Sequence, residues 1–149
     1  MIIQEFDLFD GINDEIVEDL VTTMETETYG ADEVVFKEGD PADSFYILAS
    51  GSAELYMGGG DKSASLALKP GEAFGWSSLV DRDIYASTVK CTESCRLYKI
   101  NKNNLDRVLR QHPSTGMLFY KRLAGLIGGR VISCHRELLK LRGSLNSSR

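Results

Sequence analysis

The alternation of apolar and polar positions divides the chain into three stretches. Over residues 8–27, apolar side chains fall at Leu8, Phe9, Ile12, Ile16, Val17, Leu20, Val21 and Met24. Steps of three and four return to one face of a 3.6-residue helix, so the pattern predicts a helical lead-in. Asn13 stands where an N-cap would, followed by Asp14 and Glu15 in the first turn. From about residue 29 to 100 the pattern changes to short, β-rich or alternating runs, at 34–36, 44–49, 53–57, 64–68, 86–91 and 95–100. Turn sequences separate them: Glu38-Gly39-Asp40-Pro41, Ser50-Gly51, Gly58-Gly59-Gly60-Asp61 and Lys69-Pro70-Gly71-Glu72. Many short strands with no long helix between them indicate an antiparallel roll or sandwich. The glycine triplet at 58–60 reads as a hairpin tip or a mobile loop. Without the strand and helix that frame a phosphate loop it is not a nucleotide motif.

Residues 101–142 return to a helical period. Asn101 or Asn103 can cap a helix carrying Leu105, Val108 and Leu109, and Pro113 interrupts it. A longer helix is expected to start near Ser114 or Thr115, with a stripe of Phe119, Leu123, Ile127, Val131, Cys134, Leu138 and Leu141. Such a stripe packs either on its own barrel or on a twin helix. It is longer than one small roll can cover, which favours a homodimer. Gly128-Gly129 should weaken the helix by about 1 kcal/mol per glycine relative to alanine. The pair reads as a hinge, a close helix crossing or a simple soft spot. The tail, 143–149, is expected to fray. The whole chain therefore reads as one domain: lead-in 1–28, roll 29–100, C-terminal helices 101–142 and tail 143–149.

Composition narrows the class. At 149 residues, 42% hydrophobic and 26% charged, the chain is an ordinary globular domain. No apolar run approaches the length of a membrane span. The first nine residues carry Glu5 and Asp7 and no basic residue, unlike a targeting segment, so a cytoplasmic protein is expected. The net charge of −5 conceals an asymmetry: the first thirty residues hold nine acids and no Lys or Arg. From Arg96 onward there are twelve basic residues and two acids, Asp106 and Glu137. With few aromatics among them, these bases read as a solvated helix face complementing the acidic start rather than a nucleic-acid surface. The three cysteines, Cys91, Cys95 and Cys134, make no disulfide framework. The first two have the spacing of a zinc hairpin but lack a second ligand pair, so reduced thiols and no metal are expected. No nucleophile–base set or paired carboxylates emerge, and His112 and His135 sit on helical patterns, so no enzyme is expected.

Four motifs in order carry a resemblance. They are Phe36-Lys37-Glu38-Gly39-Asp40-Pro41-Ala42-Asp43-Ser44-Phe45-Tyr46-Ile47-Leu48, Gly51-Ser52-Ala53-Glu54-Leu55, Leu68-Lys69-Pro70-Gly71-Glu72-Ala73-Phe74-Gly75, and Tyr85-Ala86-Ser87-Thr88-Val89-Lys90-Cys91. Together they resemble the cyclic-nucleotide-binding domain superfamily: sensor domains of catabolite-activator-type regulators, regulatory subunits of cyclic-nucleotide-dependent kinases, and gated channels. The resemblance runs from Leu8 to about Leu141. It implies an α+β fold, an antiparallel β-roll or jelly roll (double-stranded β-helix) with an N-terminal helix and C-terminal helices. It also implies that residues 74–88 are the phosphate-binding cassette. In such a cassette a glycine turn leads into a short helix whose free N–H groups face the cyclic phosphate. A glutamate holds the ribose hydroxyl and an arginine pairs with the phosphate.

This chain departs at both charged positions: the glutamate is replaced by Trp76 and the arginine by Tyr85, nine residues apart as in the family. Arg82 lies three residues before the expected arginine, among acids that suit an exposed loop. Losing two charge-assisted contacts forfeits roughly 3–6 kcal/mol if nothing replaces them, or roughly two to four decades of affinity. Trp76 and Tyr85 either plug the pocket or line one for a flatter, less charged ligand. The expected ligand site is Phe74, Gly75, Trp76, Ser77, Ser78, Tyr85, Ala86, Ser87 and Thr88. The expected function is a ligand-sensing regulatory domain taking a cyclic nucleotide (cAMP or cGMP) or a related small ligand and signalling through the C-terminal helix. The alternative is a degenerate roll that binds no nucleotide and serves as a dimerisation or protein-interaction module. Direct DNA binding is not expected, because no helix-turn-helix follows the long helix.

Overall fold

The computed structural model describes residues 7–58, 65–80 and 82–147. They fall into two units, one ending at His112 and one beginning at Pro113.

In the first unit, a 3-10 turn at Asp7–Phe9 precedes helix α1, Asp14–Thr23. Asn13 caps it as the sequence implies, its Oδ1 accepting the Glu15 N–H at 2.8 Å. Ile16, Val17 and Leu20 form the buried face. The helix stops earlier than residue 27, at a C-cap on Met24, and Glu25–Tyr29 is strand β1. Here the acidic run divides. Glu25-Thr26-Glu27-Thr28-Tyr29 alternates in period two and carries two β-branched threonines, which suit a strand edge. Its antiparallel partner offers Arg96 opposite Thr28 and Lys99 opposite Glu25. The Lys99 ammonium reaches Glu27 at 3.2 Å. Opposite charges across the ladder thus hold a strand that has no apolar face to announce it, and the roll begins at Glu25 rather than 29.

The other strands are β2 Val34–Phe36, β3 Ser44–Ser50, β4 Ala53–Tyr56, β5 Leu66–Leu68, β6 Ala73–Phe74, β7 Thr88–Cys91 and β8 Cys95–Asn101. They form two four-stranded sheets, in the orders β1-β8-β3-β6 and β2-β7-β4-β5. All pairings are antiparallel. Phe36, Tyr46, Leu48, Leu68, Phe74, Tyr85, Val89 and Leu97 make up much of the core. Gly51 turns the β3–β4 hairpin at φ +90°, and a Cβ there would run into the Ser94 carbonyl oxygen. Glycine is required at that point by both the backbone and the space. Gly59 and Gly60 of the triplet lie outside the described residues.

Cys91 and Cys95 are buried and free, and Cys134 is exposed. The Cys95 thiol donates to the Ser52 carbonyl at 3.0 Å, and burial pushes the Cys91 thiol up to about 12. Helix α2, Lys102–Gln111, is capped by Asn101, whose Oδ1 accepts from the Asn103 and Asn104 amides at 2.9 and 3.4 Å. Its apolar face, Leu105, Val108 and Leu109, is buried, and α1 packs beside it.

The second unit is helix α3, Pro113–Ser147. Proline opens it, one residue before the expected start, at a position where no N–H is needed. The helix runs unbroken through Gly128-Gly129 and continues past 143 to Ser147, so that part of the tail is helical rather than frayed. The expected stripe divides: Phe119 and Leu123 are buried, whereas Val131, Cys134, Leu138 and Leu141 are exposed. Among the described residues, no helix is long and apolar enough to cross a membrane.

Candidate ligand-binding cassette

The cassette starts where β6 ends. Phe74 is fully buried, and Gly75 takes a left-handed conformation, φ 76° and ψ 23°, that turns the chain into a short 3-10 helix, Trp76–Leu79. The approach is tight: a Cβ on Gly75 would stand 3.1 Å from the Ser44 carbonyl oxygen and 3.2 Å from the Tyr46 ring. Ser78 anchors the turn, its hydroxyl donating to the Gly75 carbonyl at 2.8 Å. Ser77 and Ser78 are buried and Trp76 is half-buried. Arg82 is exposed, as its acidic neighbours implied. Asp81 lies outside the described residues.

The far end of the cassette is stitched to the Lys37–Ala42 turn by backbone bonds. Gly39 N–H donates to the Tyr85 carbonyl, Tyr85 N–H to the Asp40 carbonyl and Ala42 N–H to the Asp83 carbonyl, each at 2.9 Å. Gly39, at φ +93°, gives the turn its shape. Thr88 joins the same seam, its Oγ1 accepting the Glu38 N–H at 2.9 Å. Ser87 is buried, and Ala86 and Thr88 are half-buried.

Tyr85 stands at the family's arginine position, and its ring points into the roll. It stacks on Phe36 with centroids 3.7 Å apart and planes 13° from parallel. Tyr46 and Phe74 stack beside them at 5.2 Å. The Tyr85 hydroxyl donates to the Ser44 carbonyl at 2.6 Å and accepts the Ser44 N–H at 3.1 Å. Its backbone and its hydroxyl are thus all engaged. Burial raises the phenol above its ordinary range, so the group stays neutral where an arginine would be charged. The place of a guanidinium is therefore taken by a neutral ring that satisfies itself on the protein's own backbone.

The structure brings Phe74, Gly75 and Tyr85 together around Ser44 and Tyr46. Ser44 was not among the expected site residues. Its role is invisible in the sequence because it acts through main-chain atoms, which any residue would supply. An open cavity of about 580 Å³ lies beside the cassette, lined by Val34, Lys37, Glu38, Tyr56, Gly58 and Thr88. Only Thr88 of the expected site faces it. Tyr56 and Thr88 are cross-strand partners, and Glu38 closes one wall by accepting the Gly58 N–H at 2.9 Å. A smaller polar cavity of about 130 Å³ lies between Thr23, Glu25, Asp43, Ser44, Lys99, Asn101 and Asn104.

Comparison with known proteins places these features in a family. Residues 26–112 match the model of the cyclic nucleotide-binding domain. The chain is 32% identical over 90 residues to a cAMP-dependent protein kinase regulatory subunit of Emericella nidulans, an alignment covering 60% of this chain and 22% of that protein. It is 28% identical over 134 residues to the cyclic AMP receptor protein of Thermus thermophilus, covering 88% and 60%. The chain thus spans about a fifth of the kinase subunit's length and three fifths of the receptor's. Among solved structures, a putative cyclic nucleotide-binding protein from Geobacter metallireducens superposes with a TM-score of 0.76 at 26% identity, over 88% of this chain and 99% of that one. The Gly75 turn, the two stacked sheets and the 26–112 match agree, and the chain belongs to the cyclic nucleotide-binding domain family.

Proposed function

We propose that this chain is a ligand-sensing regulatory domain whose cassette, residues 74–88, takes a cyclic nucleotide or a close relative by neutral contacts. The observation that carries this reading is the retained frame. Left-handed Gly75 leads into the short Trp76–Leu79 helix, and the cassette end is bonded to the Lys37–Ala42 turn. A frame of this kind offers backbone amides and the hydroxyls of Ser77, Ser87 and Thr88 without a fixed charge, while the Ser78 hydroxyl holds the turn itself. Trp76 and Tyr85 supply aromatic faces for stacking on a flat base.

Ligand entry displaces the Tyr85 ring from Phe36 and releases the amide and carbonyl of Ser44. Asp43, the residue before it, accepts the Lys102 N–H at the start of α2 at 2.9 Å. The cassette therefore has a covalent and hydrogen-bonded route to α2. A ligand shifts that route only by binding one of its two arrangements more tightly. In this reading the domain is cytoplasmic, performs no catalysis, reads no DNA itself and forms a homodimer through α3.

Calorimetric titration with cAMP and with cGMP, each to millimolar concentration, tests the reading. Saturable binding that Ser87→Trp abolishes supports it. Absence of heat and of thermal stabilisation with both nucleotides refutes the nucleotide assignment and leaves the roll as a scaffold.

A further inference from the structure

The polar cavity of about 130 Å³ shares no residue with the cassette. It lies where secondary-structure elements begin and end. Thr23 closes α1, Glu25 opens β1, Ser44 opens β3, and Asn101 ends β8 and caps α2. Element ends of this kind bring polar side chains together with no apolar group to fill the space between them. At ~30 Å³ per water the space corresponds to about four waters, or to one organic ion of similar bulk.

The charges around this cavity do not balance. Glu27 is engaged twice, by the Lys99 ammonium at 3.2 Å and by the Tyr29 hydroxyl, which donates to it at 2.6 Å. The carboxylates of Glu25 and Asp43 have no hydrogen bond or ion pair among the described residues. Two neighbouring groups feel the excess. Burial opposes the charge on Lys99, yet its hydrogen bond to Glu27 and the fields of Glu27, Asp43 and Glu25 hold the ammonium protonated. Burial and the same three carboxylates raise the Tyr46 phenol. A separate observation points to an occupant. Ser44 is 2% exposed and lines the cavity, and its hydroxyl has no partner among the described residues, the bonds to Tyr85 being made by its backbone. A hydroxyl so buried ordinarily has a partner.

We propose that this cavity binds a small aliphatic amine as its ammonium ion. An ammonium has three N–H donors and no acceptor. Glu25 and Asp43 supply charge-assisted acceptors, and the Ser44 hydroxyl and the Asn104 amide oxygen supply neutral ones. A metal ion suits the place less well. Among the described residues, no three acidic, thiol or imidazole side chains are grouped to hold one, and Lys99 keeps a positive charge in the wall. An anion would meet two uncompensated carboxylates. The site is independent of any nucleotide in the cassette. It nonetheless touches the path from the cassette to α2, because Asp43 and Ser44 bond through their backbones to Lys102 and Tyr85.

Titration of the full, isotope-labelled chain with ethylammonium chloride, followed by amide NMR, tests the proposal. Saturable shifts at Ser44, Asn101 and Asn104 are expected at millimolar concentration. Tetramethylammonium chloride, which has the charge but no N–H, should not produce them. Glu25→Gln and Asp43→Asn change exposed side chains of nearly constant shape, and each should raise the half-saturating concentration roughly two- to five-fold. Ser44→Ala keeps the backbone that holds Tyr85 and should raise it roughly five-fold. Lys99→Met removes the cation from the wall and should lower it several-fold. Weaker binding by Lys99→Met overturns the assignment to a cation. Equal shifts with tetramethylammonium reduce the effect to charge screening and overturn the site. The same saturable shifts with magnesium chloride in place of the amine overturn the ligand class, and no saturable shift with ethylammonium overturns the proposal outright.

Discussion

Replacing Tyr85 by phenylalanine removes one oxygen atom and isolates what the hydroxyl contributes. The hydroxyl makes two buried hydrogen bonds, donating at 2.6 Å and accepting at 3.1 Å, both to Ser44, which is 2% exposed. Each bond contributes about 1 kcal/mol net, rising to about 2 kcal/mol where its loss leaves a buried amide or carbonyl short of a partner. The ring, its stack on Phe36 and its backbone bonds to Gly39 and Asp40 are untouched. Tyr85→Phe should therefore destabilise the roll by about 2–4 kcal/mol. For a chain of this size that lowers Tm by about 5–15 °C. The chain's one tryptophan, Trp76, sits in the cassette and reports the transition by fluorescence during urea unfolding. The midpoint should fall while the slope m stays constant. Tyr85→Leu should fall further, since it also loses the stacked ring. A Tyr85→Phe midpoint within about 0.5 kcal/mol of the parent would show that the clamp on Ser44 does not hold the cassette, and the displacement route to α2 would go with it.

Three further outcomes are expected. Gly51→Ala forces an L-residue to φ +90° against the Ser94 carbonyl, and its thermal melt should show a loss of at least about 2 kcal/mol. Stability should fall as pH rises past the ordinary Cys91 value of 9.0, because the unfolded thiol ionises there while the folded one holds its proton to about 12. Lys99, raised by its hydrogen bond to Glu27 against the opposing effect of burial, and the buried phenols of Tyr46 and Tyr85 steepen the decline above about 10. Melts at closely spaced pH should show Cys91→Ala delaying the onset, and equal onsets would refute the assignment. A thiol reagent added to the native chain should label Cys134 and leave Cys91 and Cys95 unmodified until denaturant is added. Mass spectrometry counts the sites.

How far the sequence could be read depended on whether a residue acts through its side-chain pattern or through its partners. The strands from Val34 to Asn101 announce themselves by β-branched and aromatic runs between glycine turns, and their places hold within a residue or two, except for the two-residue β6, Ala73–Phe74, too short to show a pattern. Asn13 was legible as a cap, and Asn101 as one of two candidates with Asn103, because a cap is a local contract between one side chain and the next two or three amides. Strand β1 was not legible, since Glu25 to Tyr29 is held by basic residues some seventy positions away. The long helix showed its period but not its boundary between covered and uncovered residues. Phe119 and Ile127 look alike in a list of apolar positions, and only the fold separates them. In the cassette, the frame and the two substitutions were visible by position. Which way the Tyr85 ring faces, and that Ser44 receives its hydroxyl, depend on the packing of Phe36 and Gly75.

The Tyr85 clamp makes the protein its own competitor. Whatever enters the roll at this position must first outbid an intramolecular group already seated there, stacked on Phe36 and bonded to Ser44. The measured affinity is then the intrinsic affinity multiplied by the fraction of chains with the clamp open. Each 1.4 kcal/mol of clamp stability moves the half-saturating concentration about ten-fold upward. On the proposed reading, Tyr85 sets the threshold of the sensor through the closed state it stabilises, and hydroxyl-to-hydrogen exchange there would retune that threshold as it loosens the fold.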